Sequence, residues 1–145
     1  MLTFGGLFSG SSSLLFYNQN YFPISSKQFQ IMSQAIFLDR DGVINRERGD
    51  YTYKIEDFTF VDGIIEACVE WTNKNYHIIV ITNQGGISKG RYTHEDVKVL
   101  HEHIFGQMKE AGIKIDDVFY SPHHSDLENS FSRKPEPLMI ERALH

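Results

Sequence analysis

The chain has 145 residues, a formal net charge of −5, 41% hydrophobic residues and one cysteine. That length suits one domain with a sizeable core. The acidic balance, with no cluster of lysines and arginines, argues against a general nucleic-acid or anionic-membrane surface but leaves room for a small anionic substrate, because a phosphate pocket needs only a few cations.

Residues 1–31, almost all of them in "MLTFGGLFSGSSSLLFYNQNYFPISSKQFQ", hold serine, glycine, asparagine and aromatics without one acidic residue. They read as a poorly structured extension. No basic region precedes the apolar residues, and no run approaches the ~20 apolar residues of a membrane span. Met32 stands just before the first strand pattern, which makes it the expected native start and leaves 32–145 as the folded domain.

From Met32 on, strand and helix patterns alternate. "AIFL" at Ala35 is a short apolar strand, "HIIVIT" at His77 a second, and "IDDVFYS" ending at Ser121 a third; their continuous apolarity predicts parallel strands buried on both faces. Between the first two strands, "RGDYTYKIEDFTFVDG" alternates Tyr51, Tyr53, Phe58 and Phe60 as a hairpin would. A helix follows, with Asp62 as its expected cap and Ile64, Ile65, Cys68 and Trp71 on one face. Cys68 cannot close an internal disulfide and reads as a buried thiol in a reducing cytoplasm. A second helix starts at a Thr93–Asp96 capping box, turns Val97, Leu100, Ile104 and Met108 inward and ends at Gly112. This βαβαβ order places ligands beyond the carboxyl ends of the strands.

Three strand ends carry chemistry. After the first, Asp39 and Asp41 in extended chain point to one side roughly 6.6 Å apart, with Arg40 facing away. One ionised carboxylate can attack phosphorus or hold a metal, while the other, kept protonated by its charged neighbour, can protonate the leaving oxygen. An EF-hand calcium loop fails, because Ile44 stands where its glycine belongs. After the second strand, "ITNQGG" supplies the Thr82 hydroxyl, the Asn83 and Gln84 amides, and Gly85 and Gly86, whose N–H groups can approach an anion. After the third, Arg133 and Lys134 precede Pro135, which biases Lys134 towards an extended backbone. A fixed ammonium there can neutralise a transferring phosphoryl group. Each feature alone could be an ordinary turn; the three at one sheet edge form a phosphoryl-transfer constellation.

These residues resemble a known family. "FLDRDGVIN", "VITNQ" and "RKP" are similar to the first three motifs of the haloacid dehalogenase superfamily. "DGVINRERGDY", "FVDGIIEA", "TNQGGISKGRYT" and "YSPHH" resemble D-glycero-D-manno-heptose 1,7-bisphosphate phosphatases and their histidinol-phosphatase relatives. The resemblance implies an α/β fold, a Rossmann-like three-layer parallel sheet without a cap domain. It implies a magnesium-dependent phosphatase acting on a small phosphorylated sugar, cytoplasmic and monomeric, with no nucleic-acid or membrane partner. Asp39 would be the nucleophile and a magnesium ligand. Asp41 would be the acid and base, with its backbone carbonyl on the metal. Thr82 and Lys134 would stabilise the phosphoryl group, and Glu47, Arg48, Gly49, Asn83, Gln84 and Arg133 would contact substrate.

Two departures qualify the resemblance. Relatives commonly hold zinc through cysteines where this chain has Ser121, Ser130 and Ser132, leaving only His123; hydroxyls do not replace thiolates, so no zinc is expected and hydrogen bonds and packing must hold the loop. His94, His101 and His103 fall on the second helix and are expected to be solvated rather than metal-bound. The family's fourth motif, which supplies a further magnesium carboxylate, lies beyond His145, so the fold is expected to be truncated before its fourth strand, with weaker metal binding and poor turnover. Histidinol phosphate is the rival substrate, a nucleic-acid end phosphatase a more distant one, and a noncatalytic phosphate-binding fragment the rival of another class.

Overall fold

The computed structural model describes residues 34–145, so the expected extension at 1–31 and the start at Met32 lie outside the described residues. Strand β1 spans Ala35–Leu38, β2 His77–Asn83 and β3 Asp117–Ser121. They form one parallel sheet in the order β1-β2-β3, with Leu38 paired to Val80 and Thr82 to Tyr120.

The alternating side chains of β2 explain its unbroken apolarity. Ile78 and Val80 enter a core with Ile64, Cys68, Leu100, Ile104 and Met108, while Ile79 and Ile81 enter a second with Met139. The first core is built from helices α1 (Ile64–Asn73) and α2 (His94–Glu110), the second from the short α3 (Leu138–Ala143). The result is the expected three-layer α/β arrangement. Each fully buried aliphatic side chain here contributes about 1.5–3 kcal/mol, which gives the strand ends a firm base.

Local signals succeed unevenly. The Thr93–Asp96 capping box is present, and α2 buries Val97, Leu100, Ile104 and Met108 as its periodicity predicts. Gly112, at φ 81°, ends that helix, and Ile113 N–H donates to the Met108 carbonyl at 2.9 Å. At α1 the expectation fails: Gly63, at φ 82°, occupies the cap position without a side-chain bond, and Asp62 instead receives both its contacts from Arg46 Nη2, at 2.7 Å each.

The expected hairpin after β1 is reduced to its base: Asn45 and Phe60 pair antiparallel, with Arg46 N–H donating to the Thr59 carbonyl at 2.9 Å and Val61 N–H to the Ile44 carbonyl at 3.0 Å, and no strand extends beyond them. A 3-10 turn spans Ile55–Asp57, and pairing in this stretch is confined to isolated bridges from Asn45 to Asp41 and to Phe60. The alternating aromatics serve packing instead. Phe58 and Phe60 meet edge-on at 4.7 Å against the larger core, whereas Tyr53 and Tyr51 lie on Tyr92 at 5.0 and 5.5 Å.

His101 is the other correction. It is buried on α2, against Phe105 and Tyr120, rather than solvated. Burial lowers its pKa from 6.5 to about 4, with the Arg40 charge acting in the same direction. Cys68 is buried as expected, and desolvation raises its thiol to about 11.

Candidate active site

Asp39 leaves the end of β1 with its carboxylate anchored on both oxygens. Oδ1 accepts the Arg40 backbone N–H at 2.8 Å, and Oδ2 lies 2.6 Å from Lys134 Nζ. The ammonium also donates to the Ile81 carbonyl at 2.9 Å, so the end of β2 fixes its place. Asn83 completes this arrangement: its Oδ1 accepts the Lys134 N–H at 2.9 Å and its Nδ2 donates to the Lys134 carbonyl at 3.2 Å. Both ends of the Asn83 amide are thus committed to the lysine backbone.

Asp41 sits in a denser network, and here the geometry corrects the expectation that Arg40 faces away. The Arg40 side chain is buried and folds back onto Asp41, donating from Nη2 to Oδ1 and Oδ2 at 2.8 and 2.9 Å. Its Nη2 reaches the Thr52 carbonyl as well, at 2.7 Å. Asn45 adds a contact to Oδ1 at 3.2 Å and Gln84 one to Oδ2 at 2.9 Å. Charge-assisted bonds of this kind fix orientation strongly. Arg40 had a readable signal, a cation between two carboxylates; Asn45 had almost none.

Gln84 is buried and does not open onto the cleft. Its Nε2 bridges Asp41 and the Thr82 hydroxyl, at 2.9 Å each, and its Oε1 accepts the Tyr92 hydroxyl at 2.9 Å. Thr82 is buried too, at the carboxyl end of the central strand. Gly85 and Gly86 make room for neighbours: a Cβ on Gly86 would come within 2.1 Å of the Tyr92 ring, and one on Gly85 within 2.9 Å of His124 and 3.2 Å of Arg133.

Two clefts flank the strand ends. One, of about 440 Å³, is lined by Asp41, Glu47, Gly49, Asp50, Tyr51 and Asn83, and also touches Thr52. It brings Glu47 and Gly49 beside Asp41 as expected, and it presents three carboxylates and no cation. Arg48 pairs with Asp57 at 2.6 Å and faces a separate groove. The other cleft, of about 290 Å³, is bordered by Arg133, Lys134 and the loop around Phe131. Arg133 donates to the His123 carbonyl at 2.8 Å, which ties this cation to the loop.

Ser121, Ser130 and Ser132 form one hydrogen-bonded cluster. Ser132 Oγ lies 3.0 Å from both Ser121 Oγ and Ser130 Oγ, and His123 pairs with Glu128 at 2.5 Å. Among the described residues, no group of three or more His, Cys, Asp or Glu side chains is placed to hold a metal ion. The Asp39 carboxylate and the Asp41 carbonyl are oxygen donors of the chemical type that magnesium takes.

The sequence profile of the family described as polynucleotide kinase 3 phosphatase matches residues 22–145. The chain belongs to that family, a group of haloacid dehalogenase-type phosphatases. Among curated members, it is 39% identical over 112 residues to the D-glycero-beta-D-manno-heptose-1,7-bisphosphate 7-phosphatase of Photorhabdus laumondii, covering 73% of this chain and 59% of that protein. It is 42% identical over 111 residues to the corresponding alpha-anomer phosphatase of Campylobacter jejuni, covering 77% and 62%. The crystal structure of the D,D-heptose 1,7-bisphosphate phosphatase of B. bronchiseptica, complexed with magnesium and phosphate, superposes with a TM-score of 0.72 at 25% identity, covering 76% of this chain and 61% of that one. The chain thus spans about three fifths of the length of these family members.

Proposed function

We propose that this chain is a phosphomonoester hydrolase that removes phosphate from a small sugar phosphate, heptose 1,7-bisphosphate first among them, through an aspartyl-phosphate on Asp39. The observation that carries the reading is the Asp39–Lys134 ion pair at 2.6 Å beside an independently anchored Asp41. In this reading an Asp39 oxygen bonds to phosphorus as the bond to the leaving oxygen breaks, and Asp41 protonates that oxygen. Water then attacks the acyl phosphate while Asp41 takes its proton. Lys134 and Thr82 stabilise the charge on the phosphoryl oxygens. Magnesium, held by Asp39 and the Asp41 carbonyl, would neutralise phosphate charge and align the ester for attack. Glu47, Gly49 and Asn83, which line the cleft beside Asp41, contact the substrate together with Arg133, while Arg48, paired with Asp57 at a separate groove, and Gln84, buried and bonded to Asp41 and Thr82, act less directly.

The family's description favours a second reading, a phosphorylated nucleic-acid end. The cleft beside Asp41 weighs against it: Asp41, Glu47 and Asp50 line it with no lysine or arginine, so it offers nothing to a run of phosphodiesters, whereas a sugar bisphosphate brings a single remaining phosphate and several hydroxyls that can donate to carboxylates. A cytoplasmic monomer without nucleic-acid or membrane partners belongs to the same proposal, and no helix among the described residues is long and apolar enough to cross a membrane.

Phosphate release by the full chain with magnesium tests the reading, against heptose 1,7-bisphosphate, histidinol phosphate and a 3′-phosphorylated oligonucleotide. Release should be fastest with the sugar and should fall to background in Asp39→Asn with the fold retained. Turnover that survives Asp39→Asn removes the nucleophile assignment; preference for the oligonucleotide replaces the substrate class.

A further inference from the structure

Tyr92 lies outside every residue assigned above to substrate, phosphate or metal, yet it is buried against the middle of the site. Its ring is held on three sides. Gly86 faces it so closely that any side chain would collide, Tyr53 stacks on it at 5.0 Å with an interplanar angle of 13°, and Tyr51 meets it edge-on at 5.5 Å. Tyr51 also lines the cleft beside Asp41, so the loop after β1 and the loop after β2 share this ring.

The hydroxyl decides the orientation of Gln84. An amide has a donating and an accepting end, and a buried one that points the wrong way leaves both unsatisfied. Tyr92 O–H donates to Oε1 at 2.9 Å. That turns Nε2, with its two hydrogens, towards Asp41 Oδ2 and Thr82 Oγ1. Burial raises the Tyr92 pKa to about 12, so the hydroxyl keeps its proton at neutral pH.

We infer that Tyr92 is a positioning residue for phosphoryl transfer: through the Gln84 amide it sets the Asp41 carboxylate and the Thr82 hydroxyl in one fixed relation. The inference rests on the phosphatase reading for its consequence in turnover, but not for its structural content. Gln84 thereby becomes a strut between two reacting groups rather than a substrate contact, and Gly86 is required because only glycine leaves space for the ring.

Tyr92→Phe keeps the ring stack and removes only the donor, and Gln84→Met keeps the volume and removes the amide. With the full chain and magnesium, each should lower kcat roughly 10- to 100-fold, the scale of a modest misplacement of reacting groups, with any rise in KM smaller than the fall in kcat. The double variant should be no slower than Gln84→Met, because Tyr92 acts only through the amide; losses that multiply overturn the inference. A kcat for Tyr92→Phe equal to the parent overturns it as well. Two further readouts stand apart from turnover. The side-chain amide resonances of Gln84, distinct and slowly exchanging in the parent, should broaden or move to solvent-like positions in Tyr92→Phe, and affinity for inorganic phosphate by 31P NMR should fall. If the parent chain releases no phosphate from any ester, the phosphatase reading fails, and these two measurements alone decide: their change upholds the positioning role and their constancy ends it.

Discussion

The acid side and the lysine side of the site are built by different means. Asp41 is fixed by a buried web, Arg40, Asn45 and Gln84, whose members are themselves held by Thr52, Thr82 and Tyr92. Lys134 stands on a partly exposed loop and is fixed by few contacts, the Asn83 clamp on its backbone and the Ile81 carbonyl and Asp39 on its ammonium. The web draws on a low-dielectric interior, where polar bonds are strong and unpaired groups costly; the clamp draws on main-chain geometry and tolerates solvent. Damage to the first should therefore reach the whole fold, and damage to the second should stay local.

The largest test of that contrast is Arg40→Met. It leaves Asp41 and the Thr52 carbonyl without their buried donor, and should lower stability by about 3 kcal/mol in urea unfolding, the low end for a broken buried pair because Asp41 keeps 30% exposure. A cost under about 1 kcal/mol would erase the distinction between the two sides.

His101, which feels the charges of Arg40 and Asp41, gives a pH-dependent version of the same test. Its folded pKa is depressed to about 4 from 6.5, so below pH 6.5 the unfolded chain binds a proton that the folded chain does not. Stability accordingly falls as pH falls from 6.5 towards 4 and is unaffected by this group above that window. Between pH 7 and pH 5 the parent should lose about 2 kcal/mol more than His101→Leu, measured by unfolding at each pH. Parallel pH curves for the two proteins would place His101 outside the web.

The smallest effect is expected at the serine cluster on the lysine side. Ser132→Ala removes the central hydroxyl and should cost about 1 kcal/mol, the net worth of a typical hydrogen bond, with the midpoint shift read in the same assay. A loss above about 3 kcal/mol would mean that the loop supports the fold as strongly as the web does.

Much of this protein was decided by sequence alone. The three apolar runs specified a parallel sheet because strands covered on both faces need side chains that are apolar on both faces, and the Thr93–Asp96 pair specified the start of α2 because both partners lie within one turn. That Asp39 meets Lys134, and Asp41 comes near Thr82, was readable because strand ends in a parallel sheet converge on one edge. What remained hidden depended on contacts between residues distant in the chain, or on choices between equivalent local partners. Asp62 could have capped α1 but pairs with Arg46, and the aromatics of residues 51–60 alternate like a hairpin yet pack on Tyr92 and the larger core. Sequence marked Arg40 as a cation between two carboxylates and Gln84 as an amide beside a phosphate site. Only the tertiary structure turned both inward, because the interior supplies the polar partners without which neither could be buried.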